Sequence, residues 1–61
     1  MKVLKLQDVL DLTGLSRSAV YEMCAKREFP SKVQLTARSV GWLEGEVHRW
    51  IQQQAAKRES I

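Results

Sequence analysis

The chain has 61 residues, ten Lys or Arg against seven Asp or Glu, and a formal net charge of +3 at pH 7. So short a chain holds one thin core, which excludes an enzyme cleft with its own supporting shell and leaves a single domain, 1–61. A hydrophobic content of 44% with 28% charged residues excludes disorder and fits a folded, soluble surface.

Cys24 is the one cysteine, so neither an internal disulfide nor a zinc knuckle is possible, which suits a reducing cytoplasm. The opening segment MKVLKLQDVLDL carries charges too early and too often for a signal peptide. No apolar run approaches the ~20 residues that a bilayer requires. The excess of basic residues favours polyanionic partners, nucleic acid among them.

In chain order, Leu6, Val9 and Leu10 recur at helical spacing and the pattern stops at Gly14, which predicts a short first helix over about Gln7 to Thr13. Asp8 falls in its first turn, where a carboxylate suits the helix dipole. Ser16 is a good N-cap for a second helix from about Arg17 to Lys26, and Leu15 before it can pack on Val20. Val20, Met23 and Cys24 form the apolar stripe of that helix, while Arg17, Ser18, Tyr21 and Ala25 project to the other side at about 100° per residue. Two short helices joined by a turn containing Gly make a helix-turn-helix.

Pro30 ends that pattern and biases Phe29 toward extended backbone. From Lys32 onward Val33 and Leu35 alternate with polar residues, the turn TARS follows, and Val40-Gly41-Trp42 resumes, predicting a small β-hairpin. Leu43, Val47, Trp50 and Ile51 then lie at i, i+4, i+7 and i+8, the stripe of a third helix. Beyond Ile51 the run QQQAAKRESI has no apolar anchor until its last residue, so a core over 4–52 and a frayed tail over 53–61 are expected. The expected core comprises Leu10, Val20, Met23, Val33, Val40, Trp42, Val47, Trp50 and Ile51.

The fold class is therefore mainly α with a small β-hairpin: a winged helix-turn-helix in miniature, with a C-terminal helix. On LTGLSRSAVYEM, FPSKVQL and RSVGWLEGEVHRWI the chain resembles the AlpA family of phage-type regulators and the related excisionases, whose fold is similar to the DNA-binding domain of MerR proteins. The resemblance runs from Leu6 to about Ile51, and VGWLEGEVHRW is its most specific part. It implies a cytoplasmic, bacterial or phage-encoded protein that binds double-stranded DNA as a transcription regulator or as a recombination directionality factor. An integrase or recombinase is the protein partner it implies. Within the resemblance Arg17, Ser18 and Tyr21 match positions that approach the major groove, and Arg38 matches the basic residue of the wing.

The chemistry of these side chains agrees with that expectation. Arg pairs bidentately with guanine O6 and N7, and Ser reaches a base or a phosphate. Tyr21 is an aromatic on the outward side with a hydroxyl to offer, and Arg38 at a hairpin tip suits phosphates or a minor groove, with Lys32 as an auxiliary and Ser16 at the helix start. Glu22 is better read as an i, i+4 partner of Lys26 than as a base reader. Trp42 and Trp50 continue apolar patterns and read as core rather than as stacking platforms. His48 and Cys24 lack the partners that a metal site or a nucleophile requires, so no metal, cofactor or catalysis is expected.

The competing function is a protein-interaction module in which the same scaffold binds a recombinase or a signalling domain. So small a reading surface recognises only a short half-site, so useful specificity is expected to need several copies of the chain on DNA or a partner.

Overall fold

A computed structural model describes residues 2–58 of the chain. The elements in order are β1 (Val3–Leu4), α1 (Leu6–Thr13), α2 (Arg17–Ala25), β2 (Val33–Gln34), β3 (Val40–Leu43) and α3 (Glu44–Lys57). Three helices around a small antiparallel sheet make the mainly α, winged helix-turn-helix architecture that the sequence predicts.

Local chemistry sets the boundaries of the first two helices. The Asp8 carboxylate accepts from the Lys5 backbone N–H at 3.0 Å, which satisfies a donor at the start of α1. Gly14 ends the helix in a left-handed conformation, φ 75°, and its N–H donates to the Leu10 carbonyl at 2.8 Å. The Thr13 hydroxyl donates to the Val9 carbonyl and accepts from the Leu15 N–H, which fixes the turn between the helices. Ser16 then caps α2 by accepting from the Ala19 N–H at 3.1 Å.

The strand order is β1-β3-β2, with β3 central and both neighbours antiparallel to it. Val3 lies opposite Leu43 and Leu4 opposite Trp42, while Val33 faces Gly41 and Gln34 faces Val40. No sequence period marks strand β1, because it is only two residues long. Its burial is plain in the structure: Leu4 lies in the core while Val3 stands on the outer face of the sheet.

The buried core consists of Leu4, Val9, Val20, Phe29, Trp42 and Val47. Of the expected core residues, Val20, Trp42 and Val47 lie fully inside, and Leu10, Met23, Val33, Val40, Trp50 and Ile51 are half-buried. Leu4, Val9 and Phe29 are the additions. Phe29 packs edge-on against both indoles, with ring centroids 6.5 Å from Trp42 and 4.8 Å from Trp50. The indole N–H of Trp42 donates to the Pro30 carbonyl at 3.0 Å and that of Trp50 to the Glu28 carbonyl at 2.8 Å. The backbone carbonyls on either side of Phe29 are thus held by two side chains from different elements, which buckles the segment after α2 onto β3 and α3.

One expectation is corrected. The third helix does not fray after Ile51 but continues to Lys57, although residues 52–57 are exposed. Gln, Ala and Lys are strong helix formers, and the helix already nucleated on Val47 and Trp50 extends through them without packing. The remainder of the expected frayed tail, 59–61, lies outside the described residues.

Candidate nucleic-acid interface

Ser16, Arg17, Ser18 and Tyr21 all stand on the outward side of α2 and its cap, and all are exposed; Tyr21 retains 44% of its surface. Arg17 is the first helical residue, and Tyr21 follows it by one turn, so the two side chains neighbour each other on one face with Ser18 beside them. The opposite side of the same helix is fixed: Val20 is fully buried, and Met23 and Cys24 pack against the core. Glu22, on the flank, pairs with Lys26 at 3.3 Å as the spacing predicts. Both partners are more than half exposed, so the pair contributes little to stability.

The end of α2 carries a feature that sequence reasoning missed. Arg27 adopts φ 60°, a left-handed conformation that glycine usually supplies. Its N–H donates to the Cys24 carbonyl at 3.1 Å and the Glu28 N–H donates to the Met23 carbonyl at 2.8 Å, the paired bonds of a Schellman termination. The nearest sequence signal is Pro30 three positions later, which indicates that the helix must stop but not how. As a result Arg27 is presented at the C-terminal end of α2 as a further exposed cation.

Arg38 is exposed at the tip of the β2–β3 hairpin. The tip is ordered by its own polar groups: the Leu35 and Thr36 N–H groups both donate to the Ser39 carbonyl, and the Thr36 hydroxyl accepts from the Arg38 N–H at 3.2 Å. The Gln34 amide bridges the turn from below, donating to the Thr36 and Ser39 carbonyls. Thr36 and Gln34 therefore hold the turn in shape without the glycine or proline that such a tip often uses. Lys32 is exposed at the other end of β2, just before Val33. The residues expected to form the site thus fall into a helical group (Ser16, Arg17, Ser18, Tyr21) and a hairpin group (Lys32, Arg38). No hydrogen bond or ion pair joins the two groups among the described residues.

No three His, Cys, Asp or Glu side chains gather into a metal-binding group among the described residues, and none of their helices is long and apolar enough to cross a membrane. Cys24 is half-buried, its sulfur 3.9 Å from the Pro30 carbonyl, and His48 stands beside Glu44 on the exposed side of α3.

A capped, core-anchored second helix with a polar outward side, followed by a basic-tipped hairpin, defines the winged helix-turn-helix class. The family model described as prophage CP4-57 regulatory protein (AlpA) matches residues 2–55, and the chain belongs to that family of phage regulatory proteins. The chain is similar to ORF88 of Enterobacteria phage P4, 41% identical over 58 residues that cover 95% of this chain and 66% of the phage protein. It is also similar to the DNA-binding transcriptional activator AlpA of Escherichia coli (strain K12), 32% identical over 59 residues, covering 87% of this chain and 84% of that protein.

Proposed function

We propose that this chain is a regulator that binds duplex DNA sequence-specifically, setting α2 in the major groove and the β2–β3 hairpin on the adjoining backbone. The observation that carries the reading is the division of α2 into two sides. Its inner side is pinned by Val20 and by the Phe29 buckle, and its outer side offers Arg17, Ser18 and Tyr21 in its first turns. Recognition helices of this class read base edges with their N-terminal residues, and here the first of them is an arginine. Arg17 meets a guanine edge, Ser18 and Tyr21 meet a base or phosphates, and Ser16 holds the helix start in place. Arg38 and Lys32 meet phosphates or the minor groove from the hairpin. The similarity to a protein described as a DNA-binding transcriptional activator supports the same reading.

The protein acts in the cytoplasm by binding, without catalysis. The role that fits this reading is control of transcription in an integrated phage element, with direction of its excision together with an integrase as the alternative. The test separates the helix from the hairpin. Arg17→Ala should weaken the cognate duplex by about 1–3 kcal/mol and relax preference at one base position. Arg38→Ala should weaken cognate and scrambled duplexes alike and make the salt dependence shallower by about one phosphate. Both side chains are exposed, so the midpoint of thermal unfolding should hold. If titrations at several salt concentrations show neither arginine to matter in folded protein, the interface is wrong, and binding of a recombinase or signalling domain by this scaffold becomes the reading to pursue.

A further inference from the structure

The two flanks of α3 carry opposite chemistry. At about 100° per residue, Glu46, Arg49 and Gln53 fall on one flank, and Glu44 and His48 fall roughly 150° around the helix from them. The first flank borders an open groove of about 530 Å³ between the helix and the outer face of the sheet. Val33, Leu43 and Trp50 give this groove an apolar lining, with Lys32 and Arg49 as cations and Glu46 as its one carboxylate. No ion pair engages Lys32, Arg49 or Glu46 among the described residues.

The second flank borders a hollow shared with α1. There Asp8, Asp11 and Glu44 stand against one ammonium group, Lys2, with His48 beside Glu44 and Leu12 at the rim. Leu12 is 42% exposed, an apolar side chain next to two aspartates on the outer side of a helix. One flank therefore offers what the other lacks: a leucine between carboxylates on one side, an apolar groove rimmed by cations on the other.

We propose that this groove receives the α1 face of a second copy of the chain, Leu12 entering over Leu43 and Trp50 while Asp11 meets Arg49. The interface is heterologous, since two different surfaces meet. Because these surfaces lie on opposite flanks of one helix, the contact does not close on itself as a two-fold dimer does; it adds copies head to tail, in a row unless the rotation between copies closes it into a ring. Neither flank uses the outward side of α2, so each copy keeps Arg17, Ser18 and Tyr21 free; of the residues assigned to DNA only Lys32 borders the groove. Where those residues hold DNA, as the reading above has it, the row runs along adjoining sites. Coupling of this kind supplies the occupancy that one short reading helix does not reach alone.

The test uses charge reversal with the full chain: Arg49→Glu on the groove and Asp11→Arg on the α1 face, neither being part of the proposed DNA contact. Binding is titrated on a duplex with one site and on a duplex with two adjoining sites, alongside sedimentation of the free protein across concentration and salt. The wild type should load the two-site duplex cooperatively, and each variant should lose that cooperativity while binding the one-site duplex with at most a few-fold change. An equimolar mixture of the two variants should recover cooperativity, because the reversed groove of one accepts the reversed face of the other. Retention of wild-type cooperativity by both variants, or no recovery in the mixture, overturns the proposal while leaving single-site binding intact. Failure of every protein on the one-site duplex sinks the DNA reading instead. Sedimentation then decides the contact: salt-sensitive association lost in each variant and regained in the mixture supports it, and a monomer at all concentrations overturns it.

Discussion

Replacing Phe29 tests how α2 is fastened to the core. The ring is 5% exposed and lies edge-on to two indoles, at 6.5 and 4.8 Å, while the carbonyls of its two neighbours accept the indole N–H groups of Trp50 and Trp42. Truncating a buried Phe to Ala costs about 3–5 kcal/mol, through lost transfer energy and the cavity left behind. The small domain relaxes poorly here, because both indoles are tied to backbone and cannot simply collapse into the gap. A domain of this length has a total stability of roughly 3–9 kcal/mol at about 0.05–0.15 kcal/mol per residue. Phe29→Ala should therefore remove at least about a third of that stability and lower the melting midpoint by at least about 12 °C, at about 4–8 °C per kcal/mol.

Phe29→Leu keeps most of the apolar contact but loses two aromatic pairs of about 0.5–1.5 kcal/mol each, a deficit of roughly 1–3 kcal/mol. At about 4–8 °C per kcal/mol, that variant should still fold and melt clearly lower than wild type. Thermal and urea unfolding, followed by tryptophan fluorescence and far-ultraviolet dichroism, read both effects. A Phe29→Ala protein that melts within a few degrees of wild type would refute the buckle, as would a leucine variant less stable than the alanine one.

Two smaller changes probe the backbone. Arg27→Gly removes the penalty of a left-handed non-glycine residue, about 1–2 kcal/mol, against a rise in unfolded-chain freedom of roughly 0.5–1 kcal/mol, so the melting midpoint should rise by a few degrees; a fall would mean that the Arg27 side chain stabilises the fold. At Gly41 an added methyl would collide with Val3 Cγ1 and come within 2.9 Å of the Leu4 carbonyl, so Gly41→Ala should cost about 1–3 kcal/mol and speed amide exchange at the β1–β3 ladder, whereas unchanged exchange would contradict the close approach.

How much of this was legible depended on whether a residue's role is set by its neighbours in sequence. The helices were readable because Val9, Val20 and Val47 belong to runs long enough to show a period, and the Ser16 cap because capping is local. Phe29 gives no such signal, because the residue before a proline belongs to no period and its burial depends on two tryptophans that arrive 13 and 21 positions later. Trp50 lies less deep than its place in the stripe implied, since its indole N–H turns outward to reach the Glu28 carbonyl. On the proposed interface, Arg17, Ser18 and Tyr21 follow from helical phase alone. The exposure of Arg27 at the end of α2 does not, because the left-handed turn that presents it is one that glycine usually supplies.

The pairing of β1 has a consequence for the order in which the domain assembles. Val3 lies against Leu43, and the Lys2 carbonyl accepts from the Glu44 N–H at 2.9 Å, at the start of α3 where Leu43 offers no capping side chain. On the ribosome, Val3 and Leu4 emerge well before their partners, and at about 5–20 residues per second they wait some seconds for β3. Helices α1 and α2 are local and can flicker into being during that interval, but without Trp42 there is nothing for Leu4, Val9 and Val20 to close upon. Helix α3, made after α1 and α2, is started by the Lys2 carbonyl, so α2 becomes rigid only after β3 and the start of α3 have been synthesised.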